Sequence, residues 1–313
     1  MSSLNTTAFS QHPSFLLVGI PGLEKEQFWI AFPFSVMYAI AVVGNIALLV
    51  FIKTVPSLHE PMYLFLAMLA FTDLVLSTSS LPKMLSIFWL GSREISFHAC
   101  LAQMFFIHCF SIMDSGVLWA MAFDRFVAIY NPLQYASILT NSRIGLIGLG
   151  LAVRSVILLI PLPVLLTRLP FCRSRVLAHS FCLHPNLIQL PCADVRVNSM
   201  YGLFVLLATF GLDSLFIVLS YVMIIKTVLS IASKEERLKA LNTCISHICA
   251  VLIYYIPMIG LSMVYRFGKH VPPLIHVLMA NIYLLVPPVL NPIIYSMKTK
   301  QIRRGICKLL TPK

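Results

Sequence analysis

The sequence predicts an all-α membrane protein: a bundle of seven transmembrane helices with a short amphipathic helix at its C-terminus. Three observations carry this. Of 313 residues, 59% are hydrophobic and only 11% are charged, against about 25% charged in soluble domains. The apolar residues fall in seven long runs, each reaching the roughly 20 residues that a span requires. The charges inside those runs are few and isolated. This composition excludes a disordered chain, a nucleic-acid-binding domain and an ordinary cytosolic enzyme. The net charge of +12 is then a matter of membrane orientation.

Taken in order, residues 1–27 read as an extracellular tail. No basic start leads into an apolar core before Pro13, Pro21 and Gly22, so the first span is expected to act as its own insertion signal. Spans are expected over about 28–52, 61–90, 97–130, 144–166, 197–231, 238–265 and 272–297, together making a membrane domain over 28–297. They must be helices, because lipid offers free backbone groups no partner. Pro161, Pro163, Pro257, Pro287 and Pro292 fall inside apolar runs and read as kinks packed against neighbours. Residues 298–313 interleave Ile302, Ile306, Leu309 and Leu310 with Lys300, Arg303, Arg304 and Lys308. That pattern is a basic amphipathic helix lying on the inner leaflet, and Cys307 on it is a candidate for palmitoylation.

With the N-terminus outside, 13 of the 23 Lys and Arg residues lie in inner connections or in the tail, as the positive-inside rule expects. Asn5-Thr6-Thr7 is a glycosylation acceptor that agrees with this orientation. Four of the eight cysteines, Cys100, Cys172, Cys182 and Cys192, fall on the outer side. An even number on an oxidising face suggests two disulfides, with three pairings open. Cys100 with Cys182 would staple the long fourth-to-fifth loop over the bundle mouth, and Cys172 with Cys192 would then close that loop on itself. Cys109, Cys244 and Cys249 read as reduced packing residues.

At the outer end, Tyr255, Ile259, Ser262 and Arg266 are spaced 4, 3 and 4 residues apart and share a helical face. Met104, His108 and Ser111 make a similar stripe on the third helix. Convergence of the two stripes would give an apolar floor under a cationic lid, which fits an amphiphile with a carboxylate head gripped by Arg266. His184 from the long loop is a further donor, and Leu206, Thr209, Met258 and Ile259 are expected tail contacts. On the residues alone, an exposed loop arginine and a core histidine are the simpler reading.

The resemblance enters with the motifs. Asp124-Arg125-Phe126 ends the third helix and Asn291-Pro292-Ile293-Ile294-Tyr295 ends the seventh. Gly44-Asn45 lies in the first and Leu69-Ala70-Phe71-Thr72-Asp73 in the second. In this order on these helices, the set resembles the rhodopsin-like G-protein-coupled receptors. Pro61-Met62-Tyr63, Ser220-Tyr221 and Lys239-Ala240-Leu241-Asn242-Thr243-Cys244-Ile245-Ser246-His247 narrow the likeness to the vertebrate olfactory receptors. Gly19-Ile20-Pro21-Gly22-Leu23 and Arg266-Phe267-Gly268-Lys269 resemble the class I branch, nearest its family-52 group. The motif Asp-Arg-Phe stands where Asp-Arg-Tyr is usual, and Tyr254-Tyr255-Ile256-Pro257 stands where most rhodopsin-like receptors have Cys-Trp-x-Pro.

The resemblance implies a receptor for a small odorant, a carboxylic acid held by Arg266. It implies a stimulatory heterotrimeric G protein as partner and a location in the ciliary plasma membrane of olfactory neurons. It implies neither enzymatic chemistry nor a cofactor. Asp124, Arg125, Tyr221, His247, Tyr255, Asn291 and Tyr295 take the roles of switch and coupling residues. Asn45, Asp73 and Asp114 line an inner polar cavity, where two carboxylates need a proton or a cation such as Na⁺ to coexist. An amine receptor would want an acid near Phe106-Ile107-His108, and none is present. A transporter or channel would show internal repeats or a continuous polar face, and neither is seen. Arg154 and Asp213 also lie within spans, with no partner assigned to either.

Overall fold

The computed structural model describes residues 14–172, 174–268 and 270–298. Seven helices long and apolar enough to cross a membrane run over Gln27–Thr54, Pro61–Leu90, Phe97–Tyr130, Asn141–Thr167, Arg196–Ser230, Lys234–Phe267 and Pro273–Met297. The largest departure from expectation is at the sixth, which begins at Lys234 and not near residue 238. The reason is local. The Ser233 hydroxyl accepts from the Glu236 N–H at 3.4 Å, and Glu235 and Glu236 occupy the first turn, where the helix dipole favours acids. A good cap thus extends the helix through a polar stretch that hydropathy alone would leave outside. Thr140 does the same for the fourth helix, accepting from the Arg143 N–H at 3.4 Å.

Proline divides the fourth span, as expected. Asn141–Leu159 is followed by a separate turn, Pro161–Thr167, because Pro161 cannot donate to the helix ladder. The fifth span is interrupted by a π turn over Leu207–Gly211, which no periodicity in the sequence foretells. Asn5, Cys307 and all but the first residue of the amphipathic helix expected over 298–313 lie outside the described residues.

The third helix is the central post, and its neighbours approach it closely where side chains are small. A Cβ on Gly116 would stand 2.5 Å from Leu151 Cδ2 and 2.9 Å from Arg154 Nη2. The bare Cα therefore lets the fourth helix lie against the third.

The outer end carries a feature that an all-helical reading omits. Three short strands, β1 (Phe15–Leu17), β2 (Glu94–Ile95) and β3 (Val176–Leu177), form a sheet in the order β2-β1-β3. β1 runs antiparallel to β2, pairing Phe15 with Ile95, and parallel to β3, pairing Leu17 with Leu177. The N-terminal segment is thereby stitched to two outer loops. It then turns at Gly19, whose φ of +88° suits glycine and whose Cβ would strike Gln27 Nε2 at 2.8 Å. That amide donates to the Val18 carbonyl at 3.1 Å, seating the segment on the first helix. Cys100 is bonded to Cys182 and Cys172 to Cys192. Of the three pairings open to the sequence, the first thus places the middle of the long loop on the head of the third helix. Gln103 reinforces the staple: its Oε1 accepts from the Cys182 N–H at 2.9 Å and its Nε2 donates to the Ser79 carbonyl at 3.0 Å.

Candidate functional site

Beneath the stapled loop lies a cavity of about 260 Å³. The third, fourth, fifth, sixth and seventh helices and the loop segment around His184 all contribute to its wall. Of the nine residues expected to touch a ligand, seven line it: His108, Ser111, His184, Leu206, Met258, Ser262 and Arg266. Of the two stripes read from the sequence, Ser262 and Arg266 of one and His108 and Ser111 of the other meet at this cavity.

Two residues do not reach the cavity. Thr209 is fully buried, and its hydroxyl donates to the Val205 carbonyl at 2.7 Å. The π turn explains the miss. Ordinary helical spacing puts Thr209 three residues on from Leu206 and on the same face, but the wider turn rotates Phe210 into that place. Ile259 is 49% exposed on the outside of the bundle. The inward face of the sixth helix is centred on Met258, Leu261, Ser262, Tyr265 and Arg266, so Ile259 is about 100° away from its centre. Met104 is buried beneath the wall, and its carbonyl is the partner of His108 Nδ1 at 2.9 Å. Leu159, Leu162, Tyr265 and Tyr283 line the cavity without a signal of their own in the sequence, because wall residues of this kind look like any packing residue there.

The rim is a hydrogen-bonded clasp. Tyr265 donates its hydroxyl hydrogen to Asn186 Oδ1 at 2.6 Å and meets His179 Nε2 at 2.9 Å. Burial, with a smaller contribution from His276, pushes the His179 imidazole down to about 3. Burial, and then the neighbouring His108, brings His184 down to about 3 as well. Both loop histidines are therefore neutral at physiological pH. The His184 ring lies against Gly202, where a Cβ would stand 2.9 Å from Cε1. Its buried Nε2 has no partner among the described residues. Arg266 is exposed at the rim and forms no ion pair among the described residues.

Under the cavity floor, Tyr254 donates to the Ser111 carbonyl at 2.5 Å. One turn deeper, the two unassigned intramembrane charges find each other. Arg154 Nη1 and Nη2 each lie 2.7 Å from a carboxylate oxygen of Asp213, a bidentate pair between the fourth and fifth helices. The Ser115 hydroxyl donates to Asp213 Oδ2 at 2.9 Å and lies 2.7 Å from the Tyr255 hydroxyl. Four helices therefore meet in one chain of polar contacts. Tyr255 faces this chain and does not line the cavity.

Further in, the Asn291 amide donates to Asp73 Oδ2 at 2.9 Å, and Asn45 donates to the carbonyls of Ala41 and Pro288 at 2.8 and 2.9 Å. Thr72 donates to Asp114 Oδ1. Four acceptor oxygens remain buried with no donor among the described residues: Asn45 Oδ1, Asp73 Oδ1, Asp114 Oδ2 and Asn291 Oδ1. At the inner end, Arg125 grips Asp124 through Nε at 2.9 Å and Nη2 at 2.5 Å, and Tyr135 donates to Asp124 Oδ1 at 2.7 Å. Burial, then the Asp124 carboxylate, holds the Tyr135 hydroxyl well above the usual phenol range, so it remains a donor. His247 Nε2 donates to the Leu118 carbonyl at 2.9 Å, which leaves Nδ1 to accept from Tyr221 at 2.6 Å. The Tyr295 hydroxyl is buried and unpartnered among the described residues.

Known proteins resemble this chain over nearly its whole length. The family model described as "Olfactory receptor" matches residues 34–313. The chain is similar to human Olfactory receptor 51I2, 60% identical over 95% of this chain and 96% of that one. It is similar to human Olfactory receptor 51G2, 59% identical over 97% and 96%, and to human Olfactory receptor 51F2, 55% identical over 100% and 91%. These relatives carry family-51 names where the motifs pointed to family 52. Family 51 lies in the class I branch that the motifs indicated.

The Arg154–Asp213 pair sets a stability expectation. Asp213→Leu strands a guanidinium among helices and should cost about 3 kcal/mol or more. The double substitution Arg154→Met with Asp213→Leu should recover much of that loss. Thermal unfolding of the purified receptor measures both, and costs that simply add would show that the pair is not coupled.

Proposed function

This chain belongs to the olfactory receptor family, and on that premise we propose that its cavity binds a small carboxylic acid and that the occupied receptor activates a stimulatory G protein, raising cyclic AMP. Membership makes it an odorant-sensing G-protein-coupled receptor with seven membrane spans and no enzymatic role. The observation that carries the finer reading is Arg266, which lines the cavity at its rim and has no acidic partner among the described residues. A guanidinium in that state is a ready bidentate partner for a carboxylate. The apolar wall below, from Met258 to Leu206 and Leu162, suits a short aliphatic tail.

The neighbouring donors give the site a pH dependence. Ser262 spends its hydrogen on the Met258 carbonyl at 2.9 Å, and a hydroxyl rotates easily to a better acceptor. His108 spends Nδ1–H on the Met104 carbonyl, so the neutral ring meets the cavity with Nε2 as an acceptor. A carboxylate has only acceptors. Seating it against His108 requires one added proton, whereas an alcohol supplies its own. The acid complex then holds more protons than the free receptor, so acid binding strengthens as pH falls, by at most about tenfold per unit.

In this reading residues 1–27 are extracellular and 298–313 cytoplasmic, in the ciliary plasma membrane. The strand β1 and both disulfides share the cavity's end of the bundle, which supports an oxidising, outward-facing location for that end. Signal transmission runs from the sixth helix through Tyr255 and Ser115 toward His247, Tyr221 and the Asp124–Arg125 pair, as a shift between two bundle packings. The four unpartnered oxygens of Asn45, Asp73, Asp114 and Asn291 favour a second element of the proposal, a Na⁺ ion or proton held there in the resting state.

Cyclic-AMP signalling across fatty acids and matching alcohols tests the ligand. Acids should be at least tenfold more potent than alcohols, Arg266→Ala should abolish the acid response at unchanged surface expression, and only the acid curves should shift between pH 7.5 and 6.5. Equal potency of acid and alcohol would sink the carboxylate reading. Raising Na⁺ should lower acid potency severalfold in the unaltered receptor and leave Asp73→Asn indifferent. A receptor insensitive to Na⁺ would leave the polar network without a bound cation.

A further inference from the structure

We propose that the outer ends of the first and second helices form a platform for the choline headgroup of an outer-leaflet phospholipid, a site separate from the odorant cavity. Four aromatic side chains meet there. Phe32 and Trp89 have ring centroids 4.7 Å apart, Phe28 and Trp89 5.2 Å, and Phe28 and Trp29 5.5 Å, all edge-on, while Trp29 stacks over Phe32 at 6.0 Å. Trp89 Nε1 donates to Ser35 Oγ at 3.3 Å, which fixes that indole across the two helices. The cluster is nonetheless open outward: Trp29 is 70% exposed and Phe28, Phe32 and Trp89 are all exposed.

The rest of this helix face says what covers it. Below the rings, the exposed residues of the first helix are Val36, Ile40, Val43, Ile46 and Val50, an aliphatic strip suited to acyl chains. The change from aliphatic to aromatic occurs within the first two turns of the helix, at headgroup level. Ring chemistry supplies the choice of headgroup. Glu24 and Glu26 are exposed just above the rings. The Gly22 N–H donates to Glu24 Oε1 at 3.0 Å and holds that carboxyl below its usual range. Lys25 between them and Arg93 near Glu24 balance these two carboxylates, so the surface above the rings suits a zwitterionic lipid. A quaternary ammonium cannot donate hydrogen bonds, so it gains from open π faces. A primary ammonium, strongly hydrated, gains less from the same surface.

The test uses the full chain with Trp119→Phe, which leaves Trp29 and Trp89 as the emitters among three tryptophans. It is reconstituted in vesicles of phosphatidylethanolamine and phosphatidylglycerol and titrated with brominated-chain phosphatidylcholine or, separately, brominated-chain phosphatidylethanolamine. The choline lipid should quench at a mole fraction roughly two- to fivefold lower, the range expected of exposed cation–π contacts. Trp29→Leu with Phe32→Leu, read through Trp89, should bring the two lipids level. Equal quenching in the Trp119→Phe protein would make the rings a general interfacial belt and overturn the proposal. Quenching by neither lipid would mean that another polypeptide, such as a second copy, covers the face, and would overturn it equally. Both of these outcomes are measured on the Trp119→Phe protein, so they decide the matter even if the double variant fails to fold.

Discussion

Lipid supplies no hydrogen-bond partner, and this constraint organises the molecule at every scale. It makes each span a helix, because only a helix pairs its own backbone groups. It also forces each polar side chain within a span to find a partner or to face a cavity. Arg154 and Asp213 answer by pairing bidentately across two helices. Asp73, Asp114, Asn45 and Asn291 answer only in part and leave acceptor oxygens unpartnered among the described residues, the observation behind the proposed cation or proton. A polar chain between helices acts as a set of fixed distances. Ser115, which touches both Asp213 and Tyr255, ties the third helix to the fourth, fifth and sixth at one depth.

The cavity beneath the stapled loop sits above this layer and depends on it. Its floor is held by Tyr254 on the Ser111 carbonyl. Its roof is held by the Cys100–Cys182 staple, the Gln103 bridge and the Tyr265 clasp. Floor and roof are both polar constructions around an apolar space. The wall can therefore vary in shape with little effect on the frame, which is how one scaffold supports different ligands. The small sheet of β1, β2 and β3 extends the same logic outward: a tail with no core of its own is ordered by backbone pairing to two loops.

Much of this was legible in the residues. Seven apolar runs, the motif order and the two stripes carrying His108, Ser111, Ser262 and Arg266 led to the cavity. The structure departs from the sequence pattern in two ways. Thr209 and Ile259 were misplaced because a face inferred from regular spacing ignores a π turn and blurs the edge of a stripe by one residue. Leu159, Leu162 and Tyr283 were passed over because an apolar residue carries the same local signal in a cavity wall as in a packed core.

The sequence by itself determined the class of molecule, the spans and the identity of the charges that had to be explained. Those properties depend on composition and period, which are local along the chain. Only the tertiary structure decided which cysteines bond, that Arg154 belongs to Asp213, that Phe210 replaces Thr209 at the wall, and which ring nitrogen of His108 meets the cavity. Each of these depends on distances between residues far apart in the chain, and helix packing sets such distances where helical periodicity does not.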